Sequence, residues 1–182
     1  MIFRPAGLAG AFVFEPELNV DERGFFARAW CSDELRAQGL SDTIEQCNIA
    51  FNERLGTLRG LHFQRAPHGE VKIVRCTAGA ILDVIVDLRP TSPTYLQWVG
   101  VELSAENRLA LYIPVGLAHG YQTLADRTET FYLHSTRYAP ESAGGVRWDD
   151  PAFGIDWPAA THRVMNEKDR SWADYDPDRP LF

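Results

Sequence analysis

Between Leu58 and Tyr138 the chain is a succession of short β-branched and aromatic runs, each closed by turn residues, and this pattern most narrows its choice of fold. VKIVRC (71–76), AILDVIVDL (80–88), YLQWVGVEL (95–103), LALYIP (109–114), GYQTLA (120–125) and ETFYLHSTRY (129–138) predict strands. Gly79, Pro90 with Ser92-Pro93, Glu106-Asn107, Gly116 and Asp126-Arg127 predict the breaks between them. Strands of this length and spacing indicate a sandwich or barrel. In AILDVIVDL, Leu82, Val84, Val86 and Leu88 share one face, while Asp83, Ile85 and Asp87 share the other. A solvated or ion-paired face explains those two carboxylates better than catalysis does.

The flanks read differently. Gly10 to Asn19 predicts a strand and its turn. CSDELRAQ (31–38) predicts a short helix with Ser32 as N-cap, Glu34 in the first turn, Leu35 as buried anchor and Gly39 as stop. From Asp149 onward Pro151, Pro158, Pro177 and Pro180 predict an irregular or weakly helical tail that wraps a finished core. Asp149 and Asp150 before Pro151 read as turn chemistry. No repeat, linker or low-complexity tract divides the chain, so residues 1–182 are expected to form one domain.

Composition excludes several classes of function. At 45% hydrophobic residues the chain has apolar content enough to order itself. Its apolar stretches fall far short of the roughly 20 residues needed to cross a bilayer, and no membrane role is expected. Arg4 and Pro5 interrupt any secretory leader at once, which predicts a cytoplasmic protein. A net charge of −7 repels nucleic acid in bulk, so no nucleic-acid partner is expected, although a local group of cations still suits a small anion. Cys31, Cys47 and Cys76 form no CxxC pair and read as free thiols.

Two segments are similar to cupin motifs: Gly56 six positions before His62, and Pro114-x-Gly116-x-x-His119 further on. Where metal-binding cupins carry a second histidine, this chain has Gln64, a poor ligand beside imidazole. His62, His119 and Glu70 make a thin first shell, and no metal is expected. His62 alone reads as a hydrogen-bonded core histidine. Lys72 inside the apolar run Val71-Lys72-Ile73-Val74, Tyr132 inside Phe131-Tyr132-Leu133, and the cations Arg23, Arg59 and Lys72 change that reading. Together they offer a base near neutral pH, an acid and an anion site. The tryptophans read as core or dimer contacts, and His68, His134 and His162 show no partner in the sequence.

At these residues the chain resembles the RmlC-like epimerases, which act on nucleoside-diphosphate 4-keto-6-deoxy sugars and whose type activity is dTDP-4-dehydrorhamnose 3,5-epimerisation. The resemblance is carried by Asp21-Glu22-Arg23-Gly24-Phe25-Phe26, Gln46-x-Asn48, Leu58-Arg59-Gly60-Leu61-His62-Phe63-Gln64 and Lys72-Ile73-Val74-Arg75. It continues through Asp83-Val84-x-Val86-Asp87-Leu88-Arg89, Ile113-Pro114-x-Gly116-x-Ala118-His119-Gly120, Tyr132, Tyr138, Trp148-Asp149-Asp150-Pro151 and Lys168-Asp169. It implies an all-β cupin, or jelly-roll, sandwich with short helical and irregular ends, a homodimer, and a cofactor-free isomerase. His62 resembles the base, Asp169 its carboxylate partner, Tyr132 the acid of the opposite face and Lys72 the cation that meets the enolate oxygen. His119 lines the same pocket. Arg23 and Arg59 resemble diphosphate ligands. Phe26, Arg28, Gln46, Asn48, Tyr138 and Lys168 fall at positions that contact the nucleotide or sugar.

The chemistry agrees with those roles. A ketone's α proton yields to imidazole only if the carbanion is stabilised as an enolate, which a nearby ammonium does. Inversion then needs a base and an acid on opposite faces. Arg28 stands where the family commonly has Glu; Glu70 replaces a Gln, Leu133 a Lys, and Ala50 and Asn52 replace serines. A guanidinium only donates, so Arg28 predicts a preference for an acceptor-rich base such as guanine, or for phosphate oxygen, with dTDP no longer strongly selected; the alternative is that Arg28 swings into solvent and water covers the base. The competing readings are a metal-dependent cupin oxygenase or isomerase built on His62 and His119, and a non-catalytic nucleotide-sugar binding module.

Overall fold

The apolar runs pair edge to edge in a computed structural model that describes residues 1–182. The first strands are β1 (Ile2–Pro5), β2 (Phe12–Glu15), β3 (Leu18–Asp21) and β4 (Gly24–Ala27), followed by helix α1 (Ser32–Ala37). The body comprises β5 (Gln46–Asn52), β6 (Leu58–Gln64), β7 (Lys72–Ala78), β8 (Ala80–Asp87), β9 (Trp98–Ser104), β10 (Ala110–Ile113), β11 (Leu117–Thr123) and β12 (Thr128–His134). β13 (Ala143–Gly145) and α2 (Glu167–Arg170) lie in the C-terminal part. A six-stranded sheet runs β1-β2-β10-β7-β12-β5 and a five-stranded sheet runs β13-β6-β11-β8-β9, with β3-β4 as a separate hairpin. All of these ladders are antiparallel. The architecture is the expected jelly-roll sandwich.

Period-two alternation decides which side chains go where. Val74, Leu111 and Ile113 of the larger sheet meet Ile81, Ile85, Leu103 and Tyr121 of the smaller one in the central core. The opposite face of β8 sends Val84 and Val86 into a second core, which the tail completes with Phe153, Trp157 and Tyr175. A third cluster lies beyond the larger sheet, where Leu35 of α1 is fully buried beside Phe14, Ile73 and Tyr112. Each such burial contributes about 2 kcal/mol.

The expected faces of β8 are therefore correct, and of the two readings of the carboxylate face, solvated or ion-paired, the paired one holds: Asp87 meets Arg89 and Asp83 meets His119. Asp83 and Asp87 are both 0% exposed. Asp87 Oδ1 accepts from the backbone N–H and Nε of Arg89, and Oδ2 accepts from Arg89, Ser92 and Thr94. Burial alone would raise its pKa; these donors outweigh it and hold the carboxyl at about 2. Several boundaries differ from expectation. Cys31, in extended backbone, is the N-cap of α1 rather than Ser32, and no side chain caps the helix. Tyr95–Gln97 form a turn, because Leu96 sits at φ +61° with its N–H on Asp87 O, and β9 starts only at Trp98. β11 starts earlier than expected, at Leu117, and β12 stops at His134. Asp150 does turn the chain, accepting from Ala152 N, and also from Tyr175 N in the tail. All three cysteines are free.

Candidate active site

Strands of both sheets line two adjoining cavities of about 250 and 340 Å³. They share Asn48, His62, Lys72, His134, Asn166 and Asp169. His62 on β6 and His119 on β11 come from the smaller sheet; Lys72 on β7 and Tyr132 on β12 come from the larger. β6 and β11 approach closely because Gly60, at φ +123°, faces Gly120: a Cβ on Gly60 would lie 2.5 Å from Gly120 Cα. That contact brings the His62 and His119 strands into register, with the two histidines as direct cross-strand partners.

His62 is aimed by the tail. Its Nε2 is 2.7 Å from Asp169 Oδ1, and Asp169 Oδ2 accepts from Gly60 N at 3.1 Å. Asp169 is itself fixed by α2, whose N-cap Asn166 accepts from Asp169 N at 2.6 Å. Burial would raise the Asp169 pKa, but the His62 hydrogen bond and charge prevail and keep it below the ordinary carboxylate value. His62 is thus held through one ring nitrogen, leaving Nδ1 for a reacting group.

The opposite wall carries Tyr132. Its hydroxyl faces Tyr121 and Thr130, and burial, followed by the charge of Tyr121, pushes its pKa well above the ordinary phenol value. It therefore stays protonated through the neutral range. The Lys72 ammonium lies 3.0 Å from Glu70 Oε1. His119 is buried, with Nε2 2.6 Å from Asp83 Oδ1, and burial lowers its pKa. Arg59 spends Nε on Asn52 Oδ1 at 2.8 Å, and its guanidinium lines the smaller cavity. Gln46, Tyr138 and Lys168 line the larger one, where Gln46 Oε1 accepts from Tyr138 N. No three His, Cys, Asp or Glu side chains cluster with metal-ligand geometry; His62 and His119 each direct Nε2 at a carboxylate instead.

Three expected binding residues stand elsewhere. Arg23, Phe26 and Arg28 belong to the β3-β4 hairpin or its edge and line neither cavity of their own chain. Arg23 pairs with Asp21, Phe26 is 77% exposed, and Arg28 Nη1 donates to Glu34 Oε1 at 2.7 Å. In a single chain the expected cation cluster thus reduces to Arg59 and Lys72. Conversely, the cavities also take in His134, Tyr121 and Asn166, none of them an expected site residue, and Glu70, expected only as a metal helper and as a replacement for the family's Gln, while Asp83 reaches the site through His119. His134 was legible in principle, since alternation places it on the same face as Tyr132. The Asp83–His119 pair depends on the β8–β11 register, which the sequence does not disclose.

The family model for dTDP-4-dehydrorhamnose 3,5-epimerase matches residues 5–176. The chain belongs to this family. A dTDP-4-dehydrorhamnose 3,5-epimerase of Methanothermobacter thermautotrophicus is 44% identical over 173 residues, covering 93% of this chain and 92% of its own. A dTDP-4-dehydrorhamnose 3-epimerase of Streptomyces niveus is 39% identical over 162 residues, 88% of this chain and 78% of its own. The crystal structure of the Bacillus anthracis 3,5-epimerase, with TDP and PPi bound, superimposes with a TM-score of 0.91 at 37% identity, covering 96% of this chain and 99% of that one. Family membership accounts for the fold and for the coincidence of His62, Lys72, Tyr132 and Asp169 around one cavity.

Proposed function

We propose that this chain, an isomerase of the dTDP-4-dehydrorhamnose 3,5-epimerase family, inverts C3, C5 or both of a nucleotide-linked 4-keto-6-deoxy sugar by moving protons between the two walls of its cavity. The observation that carries the reading is the placement of His62 and Tyr132 on opposite sheets around one cavity, with Lys72 between them in chemistry. His62 takes the proton from the carbon next to the ketone. The C–H electron pair moves onto the carbonyl oxygen, and the resulting enolate is met by the Lys72 ammonium. Asp169 stabilises the imidazolium that forms. Tyr132 then delivers a proton to the other face of the carbon. His62 leaves protonated and Tyr132 deprotonated, and exchange with solvent resets both. Every step uses side chains of this chain, and the proton balance closes without a cofactor.

The substrate's diphosphate suits Arg59, whose remaining N–H groups can fork onto phosphate oxygens. The relative bound to TDP and PPi supports a dTDP sugar, and the 3-epimerase among the relatives keeps inversion at one carbon alongside inversion at two. We further propose a homodimer in the cytoplasm. Leu18, Val20, Phe25 and Phe26 of the β3-β4 hairpin are exposed, as are Ile49 and Phe51 on the edge strand β5. Exposed apolar side chains of this size and number favour burial against another chain, and a second copy would bring Arg23 and Phe26 to a cavity that lacks them.

Solvent-deuterium wash-in tests the reading. Incubation with a dTDP-linked 4-keto-6-deoxy sugar in deuterium oxide is expected to label C3, C5 or both. His62→Asn is expected to slow labelling by about 10²–10⁴-fold while leaving dTDP affinity unchanged. Retention of more than about a tenth of the wild-type rate would remove His62 from the role of base.

A further inference from the structure

Lys72 is not free in its cavity: its ammonium donates to His62 O at 3.4 Å and is held by Glu70, which His134 holds in turn, and neither of these two side chains has a part in the proton transfers described above. Glu70 offers Oε1 to the Lys72 ammonium at 3.0 Å and Oε2 to His134 Nδ1 at 2.9 Å. His134 stands directly across from Lys72 in the β7–β12 ladder. Its ring also stacks on Tyr132, with centroids 5.7 Å apart and planes at 21°. The Lys72, Glu70 and His134 side chains are only 9, 10 and 12% exposed. Burial would raise the Glu70 pKa; the His134 hydrogen bond and the Lys72 charge overcome it and hold the carboxyl below its ordinary value. The carboxylate is therefore an anion clamped from both sides.

An ammonium on a four-carbon stem has many rotamers, whereas an enolate oxygen needs a charge at one point. Glu70 supplies the missing constraint on Lys72. His134 stops Glu70 from turning toward the substrate and backs the Tyr132 ring. We propose that Glu70 and His134 are positioning residues of the epimerisation, setting Lys72 against the enolate oxygen and Tyr132 against the carbon it protonates. The proposal rests on the reading of Lys72 and Tyr132 given above. A pair that served only to neutralise a buried ammonium would alter stability and leave the turnover of folded enzyme unchanged.

The test uses Glu70→Ala, Glu70→Gln, His134→Ala and Lys72→Met. Wash-in and inversion of a dTDP-linked 4-keto-6-deoxy sugar are followed by NMR, with calorimetric dTDP affinity reporting a folded pocket. Glu70→Ala is expected to lower the wash-in kcat about tenfold or more, with KM changed less than about twofold. Glu70→Gln keeps an acceptor for Lys72 and a donor for His134, and is expected to recover to within about threefold of wild type. His134→Ala is expected to lower inversion relative to wash-in. Wild-type kcat in Glu70→Ala beside an inactive Lys72→Met overturns the positioning proposal and leaves the role of Lys72 standing. Glu70→Gln as slow as Glu70→Ala overturns it too, because geometry would then not be what Glu70 supplies. Should Glu70→Ala lose dTDP binding, His134→Ala decides, and a wild-type ratio of inversion to wash-in overturns the proposal. Wild-type wash-in in Lys72→Met instead overturns the reading on which the proposal depends.

Discussion

Tyr132 shows how burial suits a residue to one half of a proton exchange. A phenol pushed well above its ordinary pKa is no resting base, and the acid role proposed for it rests on donation. Tyr132→Phe is expected to retain deuterium wash-in at the abstracted position and to lose inversion, read by NMR as labelled starting epimer. Wild-type inversion in that variant would assign the acid role to another group. Arg28 is a different case. Its guanidinium is tied to Glu34, which also accepts from the Met1 ammonium at 2.6 Å. Calorimetric titration of dTDP, UDP, GDP and CDP measures what that arrangement leaves for a nucleotide. The expectation is weak selection for dTDP in wild type and stronger selection in Arg28→Glu. A dTDP affinity at least about tenfold above the others in both proteins would sink it. At this scale the convergence of Lys72 and Tyr132 on one cavity was legible, because a lysine in an apolar run and a tyrosine on an inward face are anomalies that physical chemistry flags. The pairings around them were not: alternation puts His134 on the face of Tyr132, but the Glu70–His134 and Asp83–His119 contacts appear only once the strands pair.

Among the elements, β8 and its outgoing turn are the best example of alternation read correctly and misjudged in one respect. The faces followed from period two, but Ile85 between two aspartates already implied that the face was inward. Asp87 is the carboxylate whose loss should be visible in solution. Its folded pKa, about 2, lies below the ordinary value of 3.8, so its contribution is complete above about pH 4 and disappears as pH falls toward 2. A shift of that size corresponds to about 2 kcal/mol. Asp87→Asn is expected to cost about that much in urea melts at pH 7, and to melt with a shallower loss of stability between pH 4 and 3. An unchanged acid slope would mean that other carboxylates carry it. β7 to β10 and β12 were legible because each is a run of β-branched and aromatic residues, whereas β5 (QCNIAFN) was not read as a strand, its apolar side chains being few. β1, β4 and β13 were missed because each has only three or four residues and too few apolar side chains to show a period.

Taken as a molecule, the chain presents a nearly complete cavity and a hairpin that serves no part of it. If the hairpin completes a partner's site, mixing His62→Asn and Arg23→Ala chains restores activity. Random pairing makes half of the dimers mixed, each with one intact site, so about a quarter of wild-type activity is expected after co-refolding. No recovery above the two separate variants would place Arg23 outside the site, or within the same chain's site. The sandwich was legible in the sequence as a whole; the hairpin's detachment was not, because its motif reads the same whichever copy it faces. The tail has a consequence of another kind. Val164 bridges to Thr57, and α2 then delivers Asp169 onto His62, from a segment that adds no strand to either large sheet. A protease that cut the exposed stretch near Thr161 would leave both sheets paired and Asp169 held beside His62 by packing and hydrogen bonds alone. Such a clipped protein would keep its β-sheet signature whether or not the tail stayed in place, so chain integrity, rather than folded content, is the proper measure of an intact site.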